Sequence, residues 1–383
     1  MIKSLMRIAI LGSVALPVPP PFQGGTEWIA YYQAVGLSNK GHDVILFAAK
    51  GSAQNFRDSA VRNATPRDAG GKVKVIEVGG GDVIAGSAKA QKFDPQYTEA
   101  SRKLRLEMVY LSQVSQKLIE NKDSYDIILN NMRGEGVFLP IAKFLNKPFV
   151  TVMHLNLFPE LAQLFLEFNT NIITISNAQR KDFPNLNYLA TVYNCVDLDK
   201  YSFNPTPKGL SESPQDYLLM VGTIGRHKNQ GEAIAVAKEL GLKLVLAGKI
   251  RDQDYFEELK KDIDGEQIKW VGEIGFEEKV KLYQNAKAFI FPILWEEPFG
   301  LVMIEAMSCG TPVVAFNRGA VSEVVKSGLT GYVVDNHSQM VEAVRKIDSI
   351  SRADCRKHVE ENFTVGKMVD EYESALEMLV DKL

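Results

Sequence analysis

The chain has 383 residues, of which 45% are hydrophobic and 24% charged, enough for two domains with sizeable cores. Its formal net charge of −3 gives no basic stripe of the kind nucleic acid attracts, so no nucleic-acid partner is expected. Cys195, Cys309 and Cys355 lie far apart with no CxxC pair, which excludes a zinc ribbon or disulfide framework and fits a reducing, cytoplasmic setting.

The first stretch, "MIKSLMRIAILGSVALP", imitates a leader peptide, with Lys3 and Arg7 ahead of a short apolar run. It lacks a clear small-residue cleavage site, and "RIAILGS" reads better as a buried first strand entering a glycine turn. "TEWIAYYQAVGLSNKG" is a helix ending at Gly41, and "HDVILFAA" is the next strand. "YDIILNN", a helix over "GVFLPIAKFLN", "PFVTVMH" and "NIITIS" follow. Such short, near-continuous apolar runs mark a parallel sheet covered on both faces. Residues 201–216, rich in Pro, Ser and Gly, break the rhythm and make the best linker. The alternation restarts at "YLLMVGT" and runs through "LKLVLAG", "IKWVG", "AFIFP", "PVVAF" and "GYVVD", with helices between. The reading is α/β: two doubly wound Rossmann-like domains facing each other across a cleft, each with its ligand edge at the carboxyl ends of its strands. Residues 1–200 form the first, 201–216 the linker and 217–364 the second. No apolar run is long enough to span a bilayer.

The chemistry concentrates in "AKAFIFPILWEEPFGLVMIEAM". A strand runs into a loop and then a helix, so the loop lies on the ligand edge. After Pro298, the amides of Phe299, Gly300 and Leu301 are read as the unpaired donors of a helix N-terminus, suited to a phosphate or a sugar hydroxyl. Gly300 lets a ligand approach the backbone closely. Glu297 in the loop is placed to accept hydrogen bonds from a sugar. Glu305, expected two turns into an apolar helix, is costly to bury without partners, and vicinal hydroxyls are a natural partner for a carboxylate. Taken alone, capping a neighbouring backbone or pairing with a core Arg explains Glu305 equally well. In "VGTIGRHKNQGEA", Thr223, Arg226 and Lys228 stand in a turn ahead of a helix. Gly24 and Gly25 precede the first helix, where a phosphate could be cradled, and His154 ends a strand on the ligand edge.

E-x-F-G-x-x-x-x-E, present from Glu297 to Glu305, resembles the donor motif of retaining glycosyltransferases of the GT-B fold. More narrowly, it is similar to family four, which includes sucrose synthases and bacterial mannosyltransferases. "EAMSCGTPVVAFNRGAVSEVVKSGLTGYVVD", "GGTEWIAYYQAVGLSNKGHDVILFA" and "VTVMH" extend the likeness over most of the chain. The resemblance implies a nucleoside-diphosphate-sugar donor, UDP-, GDP- or ADP-linked, held mainly by the second domain. It implies an acceptor side on the first domain, and a last helix (365–383) that returns to it. Glu305 would take the ribose hydroxyls, Glu297 the 3-hydroxyl region of the sugar, and the amides of Phe299 to Leu301 the sugar and phosphate oxygens. His154 would contact the donor sugar near the reacting carbon. Lys228 matches the family Lys that neutralises the diphosphate, whereas Thr223 stands where the family has Arg, and Arg226 is the candidate substitute. The implied reaction is front-face substitution with retention, without a metal or other cofactor, with Lys228, Arg226 and the helix amides supplying the electrostatics.

Two features depart from these expectations or mimic others. Cys195 replaces the glycine of the family's N-G-V-D turn, which implies either a turn that does not need positive φ or some strain; the thiol is read as structural. Asp252 and Asp254 imitate a metal-binding Asp-x-Asp but follow a strand and begin a helix, so capping explains them and no metal site is assigned. An epimerase or hydrolase on the same fold, and a nucleotide-sugar binder without turnover, are the competing readings. The acceptor — a saccharide, a lipid-linked sugar or a small molecule — is open. "ASRKLRLEMVYLSQVSQKLIE" (100–120) fits membrane-surface contact through Arg102, Lys103 and Arg105, with an amphipathic core helix as the simpler reading.

Overall fold

A computed structural model describes residues 5–20, 24–62, 73–80, 95–206 and 217–380. Residues 207–216 of the expected linker, and 21–23 ahead of the Gly24–Gly25 pair, lie outside the described residues. The chain divides into two compact units: Met1–Ile175 with Asp182–Val192 and Val369–Leu383, and Ser176–Lys181 with Tyr193–Met368.

The first unit is built from β1 (Arg7–Ser13), α1 (Gly25–Asn39), β2 (Asp43–Ala48), α2 (Ser52–Arg62), β3 (Lys74–Glu77) and α3 (Pro95–Glu120). It continues with β4 (Ile127–Asn130), α4 (Glu135–Phe144), β5 (Phe149–Met153), α5 (Pro159–Phe168), β6 (Asn171–Thr174) and β7 (Tyr188–Thr191). These strands form one parallel sheet in the order β3-β2-β1-β4-β5-β6-β7. All of β4 and β5 is buried, as strands covered on both faces must be. The edge strands β3 and β7 have no fully buried residue, lack such an apolar run, and are not apparent in the sequence. In α3 the packing face is Leu111, Val114 and Leu118, while Leu104, Met108 and Val109 are exposed.

The second unit contains β8 (Tyr217–Val221), α6 (Gln230–Leu240), β9 (Lys243–Ala247), α7 (Gln253–Lys260), β10 (Ile268–Trp270), α8 (Phe276–Asn285) and β11 (Ala288–Phe291). Then come α9 (Leu301–Ser308), β12 (Val313–Phe316), α10 (Val321–Val324), β13 (Gly331–Val334), α11 (His337–Arg345) and α12 (Arg352–Asn362). Its sheet is also parallel, ordered β10-β9-β8-β11-β12-β13. A last helix, α13 (Val365–Val380), begins in the second unit and lies mostly in the first.

In both sheets the strand order reverses beside the first strand, between β1 and β4 and between β8 and β11. A doubly wound sheet opens a crevice at such a switch point, outside the carboxyl ends of the strands, and ligands bind there. No helix among the described residues is long and apolar enough to cross a membrane.

Candidate functional site

In the second unit the two loops at the switch point are stitched together. The loop after β8 carries Gly222, Thr223 and a single turn over Arg226–Lys228. It is pinned by the buried Gln230, whose Nε2 donates to the Thr223 carbonyl at 3.0 Å. The loop after β11 runs from Pro292 to Gly300. Its Leu294 amide donates to the His227 carbonyl (3.0 Å), and Asn229 Nδ2 donates to the Pro292 carbonyl (3.0 Å).

This stitching brings Lys228 to Glu297. The Lys228 ammonium lies 3.2 Å from Glu297 Oε2, with the Trp295 and Phe291 ring centroids at 5.1 and 5.5 Å. Trp295 Nε1 donates to the same carboxylate oxygen at 2.9 Å. Both charged side chains are mostly buried, so the pair is desolvated and directional rather than a loose surface contact. The backbone of Glu297 is held from a third loop, where the Ala320 amide donates to its carbonyl (2.9 Å). Gly319 has φ of +56° there, and a Cβ on it would overlap the Glu297 backbone. The neighbouring His227 ring meets the Trp295 edge at 5.9 Å. Burial, and then the charge of Lys228, hold His227 below the usual imidazole range, so it is neutral at neutral pH.

The helix after this loop starts later than the sequence suggests. Gly300, at φ +85° and ψ 64°, is the residue before α9, a left-handed conformation that glycine adopts without strain. Leu301 is therefore the first helical residue, and Phe299 and Gly300 precede it. Of the three expected amides only that of Leu301 belongs to the first helical turn. Pro298 and Phe299 are buried, the Phe299 ring packing against Tyr193 and Phe363.

Glu305 is the fifth residue of α9, just past its first turn rather than two turns in. Its side chain is 14% exposed, and its partners are neither a capped backbone nor a core Arg. Tyr201 Oη (2.7 Å) and Lys279 Nζ (3.0 Å) donate to Oε1, and Tyr283 Oη (3.0 Å) donates to Oε2. Lys279 in turn lies over the Tyr201 and Phe276 rings. A carboxylate has about four acceptor sites; three are filled from within the unit, which explains how an apolar helix carries this charge. Lys279 and Tyr283 sit four apart on one face of α8, a spacing visible in "KVKLY", though nothing local in the sequence ties it to Glu305.

Arg226 does not join Lys228. Its side chain, 57% exposed, is bound by Glu258, lies 3.9 Å from Asp252 and stacks over the Tyr255 ring at 5.2 Å. The structure thus separates the cation expected to replace the family Arg from the one that matches the family Lys. Thr223 is half-buried, with its carbonyl taken by Gln230. Asp252 caps α7 by accepting from the Tyr255 amide (3.0 Å), with Asp254 in the first turn, as a cap demands. Cys195 is buried, its φ is not positive, and burial pushes its thiol far up, which leaves no nucleophile there.

In the first unit, α1 starts at Gly25, with Gly24 before it. A Cβ on Gly24 would come within 2.8 Å of Glu27 Oε2. Glu27 is buried and accepts from Ser13 Oγ at 2.8 Å; burial raises its pKa, and the Ser13 bond and the Arg133 charge oppose that. The helix start read as a phosphate cradle therefore already holds a carboxylate, which repels a second anion whenever it is ionised. His154 follows β5. Its Nε2 meets Asn131 Oδ1 at 2.9 Å, and burial pulls its pKa down to about 4. At neutral pH it is an uncharged hydrogen-bonding group.

Residues 205–362 match the family described as "Glycosyl transferases group 1". Among curated proteins, a glycogen synthase of Mycobacterium tuberculosis is 31% identical over 154 residues, 39% of this chain and 36% of that protein. A probable sucrose-phosphate synthase of Thermosipho melanesiensis is 35% identical over 106 residues, 26% of this chain and 25% of that protein. The matches thus span well under two thirds of either relative. Among solved structures, sucrose-phosphate synthase from Thermosynechococcus elongatus superposes with a TM-score of 0.71 at 18% identity, covering 98% of this chain and 99% of that one. HepE of Anabaena, solved with UDP and glucose, gives 0.70 at 18% identity, covering 97% and 100%. The fold is that of the GT-B glycosyltransferases.

Proposed function

We propose that this protein is a glycosyltransferase that moves a sugar from a nucleoside-diphosphate sugar to an acceptor, with retention of configuration and without a metal. The observation that carries this reading is the Lys228–Glu297 pair, assembled from the two loops of the second unit's switch point and followed eight residues later by Glu305. The match of residues 205–362 to a glycosyltransferase family supports it, as do structural relatives solved with UDP and with UDP-glucose.

In this reading Lys228 serves the leaving diphosphate. Charge builds on the leaving oxygens as the glycosidic bond breaks, and a cation already fixed in a desolvated site stabilises that charge without reorganisation. Glu297 orients the ammonium through one oxygen and keeps Oε1 for sugar hydroxyls. Glu305 takes the ribose diol through its remaining acceptor capacity, with Lys279, Tyr201 and Tyr283 holding it in place. The departing phosphate oxygen receives the acceptor's proton, so no enzymic base is assigned. The engagement of Arg226 with Glu258 favours a second reading, a donor-binding protein without turnover.

A panel of UDP-, GDP- and ADP-sugars, scored in EDTA for nucleoside diphosphate release, tests both. One donor is expected to turn over, and Glu305→Gln, which keeps the shape but loses the charge, to lower turnover efficiency by roughly 10- to 100-fold, the size of a lost charged hydrogen bond. Product anomer analysis tests retention. Binding without release selects the second reading; no binding by any donor sinks both.

A further inference from the structure

A buried chain of side chains runs through the first unit's switch point. Gln33 of α1 is fully buried, and Asn131, in the loop after β4, is 5% exposed. Asn131 Nδ2 donates to Gln33 Oε1 at 2.8 Å, while Asn131 Oδ1 meets His154 Nε2 at 2.9 Å. The loop that presents Asn131 is itself fixed. Asn130 donates to the Met132 carbonyl (2.9 Å) and to Thr151 Oγ1 (3.1 Å) and accepts from the Met132 amide (3.0 Å), and the Asn131 amide donates to the Leu11 carbonyl (2.8 Å). Gln33 Nε2 has no hydrogen-bond partner among the described residues, so Gln33 ends the chain there.

From this geometry we infer that Asn131 and Gln33 are positioning residues that lock the His154 ring as its Nε2–H tautomer. An amide whose nitrogen is committed to Gln33 can only accept at Oδ1, and an acceptor there requires the proton on Nε2. The other ring nitrogen, Nδ1, then carries a lone pair. Such a nitrogen accepts a hydrogen bond from a hydroxyl and offers nothing to a phosphate oxygen, so His154 is built to read a ligand hydroxyl. The low pKa of His154 agrees with a ring that stays neutral. Reversing both amides would instead demand a proton on Nδ1, so the tautomer reports the direction of the whole chain. The tautomer lock rests on the first unit's geometry alone; only the identification of the hydroxyl as a sugar's rests on the proposed function.

The test is a long-range 15N–1H spectrum of the intact, ligand-free protein at neutral pH. The chain has five histidines, and the His154 peaks are found by their loss in His154→Gln. The expected wild-type pattern is one protonated nitrogen, Nε2, and one lone-pair nitrogen, Nδ1. Asn131→Asp, whose carboxylate can only accept, should keep the proton on Nε2 and raise the pH at which the ring titrates. Asn131→Leu and Gln33→Leu should let the two tautomers mix. A wild-type or Asn131→Asp ring protonated on Nδ1 overturns the inference, as does a folded Asn131→Leu protein with an unchanged pattern; if Asn131→Leu does not fold, the other spectra still decide. Because no donor is present, a protein that transfers no sugar can still show the lock, and an active one can still lack it.

Discussion

Glu297 presents one oxygen to two donors of different kinds, an ammonium and an indole N–H. Replacing the indole with a phenyl ring keeps the wall over Lys228 but removes the N–H. For Trp295→Phe we expect donor affinity to fall roughly 10- to 100-fold with little change in melting temperature, on the usual worth of one hydrogen bond to a charged group. An unchanged KM would mean that Lys228 alone orients the carboxylate. His337 offers a pH test. Its Nε2 lies 2.9 Å from Glu239 and its Nδ1 2.8 Å from Glu232, and only the imidazolium can donate to both. The bond to Glu239, then that to Glu232, raises its pKa in the folded state. The contribution is therefore fully present below the unfolded value, about 6.5, and fades as pH rises through the higher folded value. His337→Gln should lower the melting temperature more at pH 6 than at pH 9; equal losses at both would count against the ion pairs.

Helix α1 contains Gly36 in its interior, where glycine weakens a helix by about 1 kcal/mol relative to alanine. Propensity alone says Gly36→Ala should stabilise. The structure says the opposite, because a Cβ there would overlap the Val369 side chain of α13, and overpacking costs about 1–3 kcal/mol. We expect a net loss of up to about 2 kcal/mol, read as a melting shift of at most a few degrees. Gly366, near the start of α13, has open space around its missing Cβ, and the same substitution there should be neutral or stabilising. Such elements also show what a sequence carries. The buried strands were legible because a parallel sheet needs continuous apolar runs, and Lys228, Glu297 and Glu305 were legible because charge at a strand-to-helix junction is conspicuous. The partners were not. Tyr201, Lys279 and Asn131 come from elements distant in sequence, and no local pattern announces that a tyrosine 104 positions away donates to Glu305. Arg226 is the reverse case: only two residues from Lys228 in sequence, its side chain pairs with Glu258 of α7, because residues two apart in a tight turn point in different directions.

At the scale of the whole molecule, α13 ties the last described residues to the first unit. Glu373, 4% exposed, accepts from Lys40 Nζ (2.7 Å) and pairs with His42 Nε2 (3.0 Å), while His42 Nδ1 accepts from the Met6 amide (3.2 Å). Tyr372, Ala375 and Leu376 are buried alongside. Ending the chain at residue 364 would leave Lys40 and His42 without this carboxylate, uncover the Gly36 side of α1 and remove the buried Tyr372, Ala375 and Leu376. The shortened protein should bind a hydrophobic dye and lose cooperative melting of its first unit, and a peptide of residues 365–380 should restore both. Wild-type melting of the shortened chain would mean the helix is an accessory.

That tie also fixes an order of events during synthesis. The strands of the first sheet leave the ribosome early, yet the helix that closes over α1 is translated only after the entire second unit. At about 5–20 residues per second, the wait after β7 is on the order of ten seconds or more. Through that interval the Gly36 side of α1, with Lys40 and His42, waits without the helix that covers it.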